Sequence, residues 1–318
     1  MTKIILSTLA PAQRLASLRL AHPSVTFVNL ASRAESLREV GDADAYFGSI
    51  TNDEFLAARQ LKWVQSASAG VEWMWKIPTI SETDVVVTNA RGAHAQTIAE
   101  HTFMLLLSQT RAVKAHLAFQ ARHEWARGDM SKQMVGIKGL TMGILGFGNI
   151  GRAIARRAIG FEMDVLAVDA HPSPPPEGVA EVWGLDRLDE MCTKADVLVI
   201  SAPITPQTRD LIGPKQIGLL KPGSFVIAVS RGGIVNEPAL IEALKTGHVK
   251  GAGLDVQATE PMLENDPLWS APNLMLTPHD SGASNLTTDL MWSIFHENIG
   301  HFVKGNPLTN QVDKKLGY

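Results

Sequence analysis

A single cysteine, Cys192, stands among 318 residues, which excludes an intramolecular disulfide framework and any cysteine-rich zinc site. An excess of one charge is also missing. The 29 Lys and Arg oppose 32 Asp and Glu along the chain, for a formal charge of −3. Without a basic patch there is no polyanion-binding footprint, so nucleic acid is not an expected partner. Long apolar runs are absent as well. Stretches such as Phe103–Leu107 fall far short of the roughly 20 residues that a membrane span needs, and no membrane partner is expected. Lys3 followed by Ile4, Ile5 and Leu6 superficially resembles a signal peptide. Its apolar core is too short, however, and breaks at Pro11, with Arg14 and Arg19 beyond. A first strand running into a helix is the better reading, and the expected location is cytoplasmic.

Hydrophobic residues make up 45% of the chain and charged residues 19%, enough to build large cores. The length suits about two domains. In the first hundred residues short apolar runs (Lys3–Ser7, Thr26–Asn29, Ala45–Gly48, Trp63–Ser66, Val85–Thr88) alternate with helical patterns such as Pro11–Ala21 and Glu35–Val40. Strand and helix in alternation imply a parallel sheet covered on both faces. A long helical pattern then runs from Thr97 towards Phe119. A second series of strands follows at Thr141–Leu145, Asp164–Val168, Val197–Ser201, Phe225–Val229, Gly251–Val256 and Asn273–Thr277. The proline run Pro172–Pro176 reads as a stiff surface loop inside this series. The segment Asn285–Lys304 carries Leu290, Met291, Ile294, Phe295, Ile299 and Phe302 at helical spacing. The first series has too few elements to stand alone, so this helix is expected to pack back onto it. The expected division is residues 1–98 plus 283–318, with 99–282 inserted.

The most specific local signal is Gly143-Ile144-Leu145-Gly146-Phe147-Gly148-Asn149-Ile150-Gly151. A G-x-G-x-x-G match is weak alone, but here it follows an apolar strand and opens a helix, as its mechanism requires. Gly146 permits the tight turn, Gly148 lets a pyrophosphate approach the backbone, and Gly151 lets helix and strand pack closely. The helix N-terminus offers unpaired N–H groups to the phosphates. The next strand runs into Asp169, where a carboxylate would bind the adenosine ribose and repel a 2′-phosphate. NAD is therefore favoured over NADP, a preference that the nearby His171 could soften.

Three more segments end strands of this series: Val229-Ser230-Arg231, Gly253-Leu254-Asp255 running on to Glu260, and Thr277-Pro278-His279. In open parallel sheets, ligands bind outside the carboxyl ends of the strands. Arginine can grip a carboxylate bidentately, histidine can exchange a proton near neutral pH, and a carboxylate beside it favours the cationic imidazole.

Together these segments resemble the D-isomer-specific 2-hydroxyacid dehydrogenase family. The resemblance covers nearly the whole length. It includes the Ser68-Ala69-Gly70-Val71-Glu72 loop, the Asn89-Ala90-Arg91-Gly92 turn and the Ala99-Glu100-His101 helix start. It implies an α/β protein of two doubly wound parallel-sheet domains, a flavodoxin-like substrate domain and a Rossmann-type NAD domain, flanking a cleft. It also implies hydride transfer between NAD(H) and a D-2-hydroxy acid/2-oxo acid pair, and a homodimer. By the same resemblance Arg231 would bind the substrate carboxylate and carbonyl, His279 would be the acid/base, and Glu260 would assist it. The backbone N–H groups of Ala69, Gly70 and Val71 would hold the substrate carboxylate. Asp255 would bind the nicotinamide carboxamide, Ala202 and Pro203 would line the adenine pocket, and Gly148, Asn149 and Ile150 would meet the pyrophosphate, with Ser230 also on the cofactor side. The rival reading is an NAD(H)-sensing regulatory protein of the same fold with vestigial activity.

Trp73-Met74-Trp75 and Tyr46-Phe47 are bulky where the substrate would bind. They either line a pocket for a larger or apolar 2-oxo acid or belong to the core. His94 with His101, and His116 with His123, lie seven apart and could share helix faces. No metal site is expected from them, for lack of a third ligand. Cys192 reads as a structural thiol, and Trp125 as an interface residue or a locally packed one.

Overall fold

The computed structural model describes residues 2–7 and 10–315. The chain divides into two compact units, Met1–His94 with Ser284–Tyr318, and Ala95–Ala283.

The first unit is built on five parallel strands: β1 (Thr2–Leu6), β2 (Val25–Asn29), β3 (Ala45–Phe47), β4 (Trp63–Gln65) and β5 (Val86–Thr88). Their order is β2-β1-β3-β4-β5, a doubly wound, flavodoxin-like arrangement. Ile4 and Leu6 of β1 enter one apolar cluster and Ile5 the other, as a strand buried on both faces requires. The helix Asn285–Lys304 returns to this unit. Its Phe295 stacks on Phe47 at 4.2 Å between ring centroids, and its Phe302 lies 5.2 Å from Trp63. Polar groups fix the same contact: Asn298 Nδ2 donates to Gln65 Oε1 at 3.0 Å, which also accepts from Thr88 Oγ1 at 2.8 Å. Ser284 caps the start of this helix and Gly305, at φ 69°, closes its end.

The second unit has seven parallel strands: β6 (Thr141–Leu145), β7 (Asp164–Val168), β8 (Glu181–Trp183), β9 (Val197–Ile200), β10 (Ser224–Ala228), β11 (Val249–Leu254) and β12 (Leu274–Leu276). They run in the order β12-β11-β10-β9-β6-β7-β8. Val197 and Val199 of β9 face one apolar cluster, Leu198 and Ile200 the other. The register sets the carboxyl ends in one rank. Leu145 pairs with Ile200, Ile200 with Ala228, Ala228 with Leu254, and Leu254 with Leu276. The residues that follow each strand therefore emerge along a single edge.

Two local features depart from the sequence reading. The helical pattern from Thr97 to Phe119 forms two helices, Ala95–Thr110 and Val113–Ala121. Ala112 between them is left-handed at φ 50°, which interrupts the ladder although the apolar spacing continues. The edge strand β8, three residues long, follows the proline run and lies outside the apolar runs that mark the other strands. Cys192 is fully buried, and burial, with Asp189 nearby, pushes its thiol up to about 12, consistent with a structural thiol. Among the described residues, no helix is long and apolar enough to cross a membrane.

His22, at the end of the helix Ala12–Ala21, lies edge-on to His296 with ring centroids 4.8 Å apart. Burial, and then the neighbouring imidazole, hold His22 below the usual histidine range. The unfolded chain therefore takes up this proton first on acidification. The stabilisation is present above about pH 6.5 and is lost as pH falls below it. Thermal denaturation from pH 7.5 to 5 should show the melting temperature falling, and His22→Phe should flatten the decline. An unchanged slope in the variant would contradict the assignment.

Candidate active site

The glycine turn lies between β6 and the helix Asn149–Gly160. Gly146 sits at φ 91°, and a Cβ on it would lie 2.4 Å from the Ala202 nitrogen, so only glycine fits this turn against the end of β9. A Cβ at Gly151 would meet the Gly146 carbonyl oxygen at 2.2 Å. Ser201 Oγ donates to that same oxygen at 2.7 Å, fastening the turn. Gly148 faces open space, and no side chain caps the helix that begins after it. Gly148 and Asn149 are exposed and Ile150 is half-buried. The turn thus leaves its amides open at the positive end of a helix of 12 residues, a donor arrangement that fits a phosphate group.

Asp169, one residue beyond β7, accepts from the Phe147 N–H at 2.6 Å and from the His171 N–H at 2.8 Å. Its carboxylate is thus tied to the glycine turn itself. Ala202 is buried and Pro203 exposed, and Thr208 Oγ1 donates to the Pro203 carbonyl at 2.7 Å. The donor set fits a dinucleotide: open amides for phosphates at β6, and a fixed carboxylate for ribose hydroxyls at β7.

Farther along the same edge, His279 Nδ1 contacts Glu260 Oε2 at 2.7 Å. Both side chains are partly solvent-exposed. His279 holds a left-handed backbone, φ 54°, and donates its N–H to the Asp255 carbonyl at 2.8 Å. Asp255 itself is fully buried. Its Oδ1 accepts from Thr277 Oγ1 at 2.6 Å and from the Asp280 N–H at 3.1 Å, and its Oδ2 from the Ser281 N–H at 3.0 Å. Both oxygens are spent on the turn that carries His279.

Ser230 lies two residues beyond β10, and its Oγ is buried without a partner among the described residues. Such an orphaned hydroxyl suits a site that awaits a ligand. The Arg231 guanidinium bends back to donate to the Ser230 carbonyl oxygen at 2.7 Å.

In the first unit, the loop after β4 is polarised. Ala69 O accepts from Asn89 Nδ2 at 2.8 Å, Gly70 O from Ser68 Oγ at 2.7 Å, and Val71 O from the Met74 N–H at 2.9 Å. The N–H groups of Ala69, Gly70 and Val71 have no acceptor among the described residues. Three N–H groups without an acceptor in one loop are donors that an anion could use.

The aromatic residues divide. Tyr46 and Phe47 are fully buried, with the Tyr46 hydroxyl donating to Glu54 Oε1 at 3.0 Å, so both belong to the core. Trp73 packs half-buried against that core, whereas Trp75 is 62% exposed. Neither histidine pair shares a helix: His94 precedes the helix Ala95–Thr110, and His123 lies beyond Val113–Ala121 at φ 56°.

One histidine has a role that spacing did not show. His101 Nε2 lies 2.9 Å from Thr277 Oγ1 and 3.6 Å from Asp255 Oδ1. Possible ligand atoms of His101, Asp255 and Asp280 come within 4.8 Å of one another. The Asp255 oxygens, however, already accept from three donors, a setting for an anion held by hydrogen bonds rather than for a cation. The folding of residues 277–281 over Asp255 was not legible from motifs, although Thr277 and Asp255 each directly follow a strand end.

Comparison with known proteins gives the chain a family. The family model described as D-isomer specific 2-hydroxyacid dehydrogenase, NAD binding domain, matches residues 103–281. A D-3-phosphoglycerate dehydrogenase from Methanocaldococcus jannaschii is 33% identical over 291 residues, covering 89% of this chain and 54% of the relative, so the chain spans about half that protein's length. A glyoxylate reductase from Thermococcus litoralis is 32% identical over 295 residues, covering 89% of this chain and 88% of that protein. A solved D-isomer specific 2-hydroxyacid dehydrogenase family protein from Aeromonas salmonicida superposes with a TM-score of 0.86 at 30% identity, covering 98% of this chain and 99% of that one. On its sequence matches and its two parallel sheets alike, this chain belongs to the D-isomer-specific 2-hydroxyacid dehydrogenase family.

Proposed function

We propose that this protein is an NAD-dependent oxidoreductase that interconverts a 2-oxo acid and the corresponding D-2-hydroxy acid. The observation that carries the proposal is the 2.7 Å contact between His279 Nδ1 and Glu260 Oε2, on the sheet edge that also bears the glycine cradle. With Nδ1 engaged by a carboxylate, Nε2 is left to hold the transferable proton. The dinucleotide, when bound, supplies or accepts the hydride. In the reducing direction C2 of the substrate gains that hydride, and His279 Nε2 gives its proton to the C2 oxygen. Glu260 stabilises the imidazolium before transfer. Arg231 pairs with the substrate carboxylate and carbonyl, orienting C2 and offsetting the negative charge that develops on oxygen.

The amides of Ala69, Gly70 and Val71 are the proposed carboxylate-binding element of the first unit. In the second, Gly148, Asn149 and Ile150 would receive the pyrophosphate on the turn that Gly146 and Gly151 make possible, Asp169 the ribose, and Ala202 and Pro203 the adenine. Ser230 and Asp255 would lie at the nicotinamide end. The carboxylate of Asp169 beside the glycine turn favours NAD, since a 2′-phosphate there would meet a fixed negative charge.

His279→Ala and Arg231→Ala should each lower kcat for 2-oxo acid reduction by about 10²- to 10⁴-fold, while fluorescence titration shows NADH binding intact. Near-normal turnover in either variant would sink the assignment.

We also propose a homodimer. The helix Val113–Ala121 buries none of its residues within the chain, Leu117 is 60% exposed and Trp125 is 94% exposed. A hollow of about 710 Å³ lined by Phe119, Trp125, Met130 and Met134 lies beside them. So much apolar surface in one segment suits a second copy. Light scattering should give twice the chain mass, and Trp125→Lys with Leu117→Lys should shift the protein towards monomer. A monomeric wild type would refute the dimer.

A further inference from the structure

Gln257 lies within the segment from Gly253 to Glu260, where the sequence assigns it no role, yet it touches all three loops that carry the proposed catalytic groups. It is buried at the carboxyl end of β11, two residues beyond Asp255. Its side-chain Nε2 donates to the Leu254 carbonyl and to the Thr277 carbonyl, each at 3.3 Å. One amide thereby bridges the ends of β11 and β12, and Thr277 lies two residues before His279. Its backbone N–H donates to Glu260 Oε1 at 2.9 Å, while the other oxygen of that carboxylate holds His279. Its carbonyl forms the floor under the Arg231 turn. A Cβ on Gly232 would lie 1.8 Å from the Gln257 oxygen and 2.1 Å from its carbonyl carbon, so the two backbones are in direct contact there. The next residue is fixed as well, since the Ala258 N–H donates to Glu237 Oε1 at 2.6 Å.

We infer that Gln257 is a positioning residue: its side-chain amide ties the end of β12, which leads to His279, to the end of β11, which leads to Glu260, and so sets the two groups against one another. A proton donor displaced by about 1 Å loses much of its effect, and a side chain that fixes two strand ends prevents such drift. Gln257 touches neither substrate nor cofactor in this account. It acts through the Thr277 carbonyl and through the segment that presents Glu260. The inference rests on the reading of His279 and Glu260 as the proton-transfer pair.

Two variants test it. Gln257→Met keeps the bulk and removes the donors; Gln257→Ala removes both. Steady-state reduction of a 2-oxo acid, NADH affinity by fluorescence, and thermal melting are measured for each beside His279→Ala. Both Gln257 variants should lower kcat about tenfold to a hundredfold, with NADH affinity unchanged. Wild-type kcat in either folded variant would overturn the inference, as would raised KM values at unchanged kcat. Should His279→Ala itself remain active, the parent reading fails. Should it be inactive while Gln257→Met matches wild type, only the role of Gln257 fails.

Discussion

A buried carboxylate organises the proposed chemistry. Asp255 has no exposed surface, and a carboxyl group in that setting is tolerated only when donors satisfy it. Thr277 Oγ1 and the N–H groups of Asp280 and Ser281 do so. Because these donors flank His279, satisfying Asp255 folds residues 277–281 into a single conformation. The His279 backbone is left-handed as a result, a state that a non-glycine residue keeps only when its surroundings impose it. His101, reaching Thr277 Oγ1 from the helix Ala95–Thr110, braces the same turn from another element.

That local constraint gains meaning from the sheet beneath it. Parallel strands in matched register deliver the residues after β6, β9, β10, β11 and β12 to one edge. The β6 end supplies an open helix terminus and the β10 to β12 ends supply a cation, a carboxylate and an imidazole. A family built on this plan can vary its substrate by altering loops while the backbone keeps the reacting groups in place. Family membership and fold follow from the matches and the topology; substrate identity depends on loop shape.

Much of this could be read from the chain itself. Continuous apolar runs such as Val197–Ile200 announce strands covered on both faces, and the glycines of residues 146–151 announce a turn that only a strand and a helix together explain. Less legible were features set by tertiary packing. Nothing in the spacing from Thr97 to Phe119 marks the left-handed Ala112 that divides the helix. The strand Glu181–Trp183 is short and forms on the edge beside β7, where pairing rather than pattern decides. Tyr46 and Phe47 could have faced a ligand or the core, and the Glu54 carboxylate that receives the Tyr46 hydroxyl keeps that tyrosine inside. A lone glutamine such as Gln257 carries no chemical signature in the sequence; its importance lies in which carbonyls it reaches.

The proposal to be decided is that a bound dinucleotide gives hydride to C2 of a 2-oxo acid while the His279–Glu260 pair supplies the proton. The most direct measurement is wild-type turnover with a panel of 2-oxo acids varying at C3, run with NADH and with NADPH, followed by chiral analysis of the product. NADH oxidation should be matched mole for mole by a 2-hydroxy acid of D configuration. No turnover across the panel, or a product of L configuration, would contradict it.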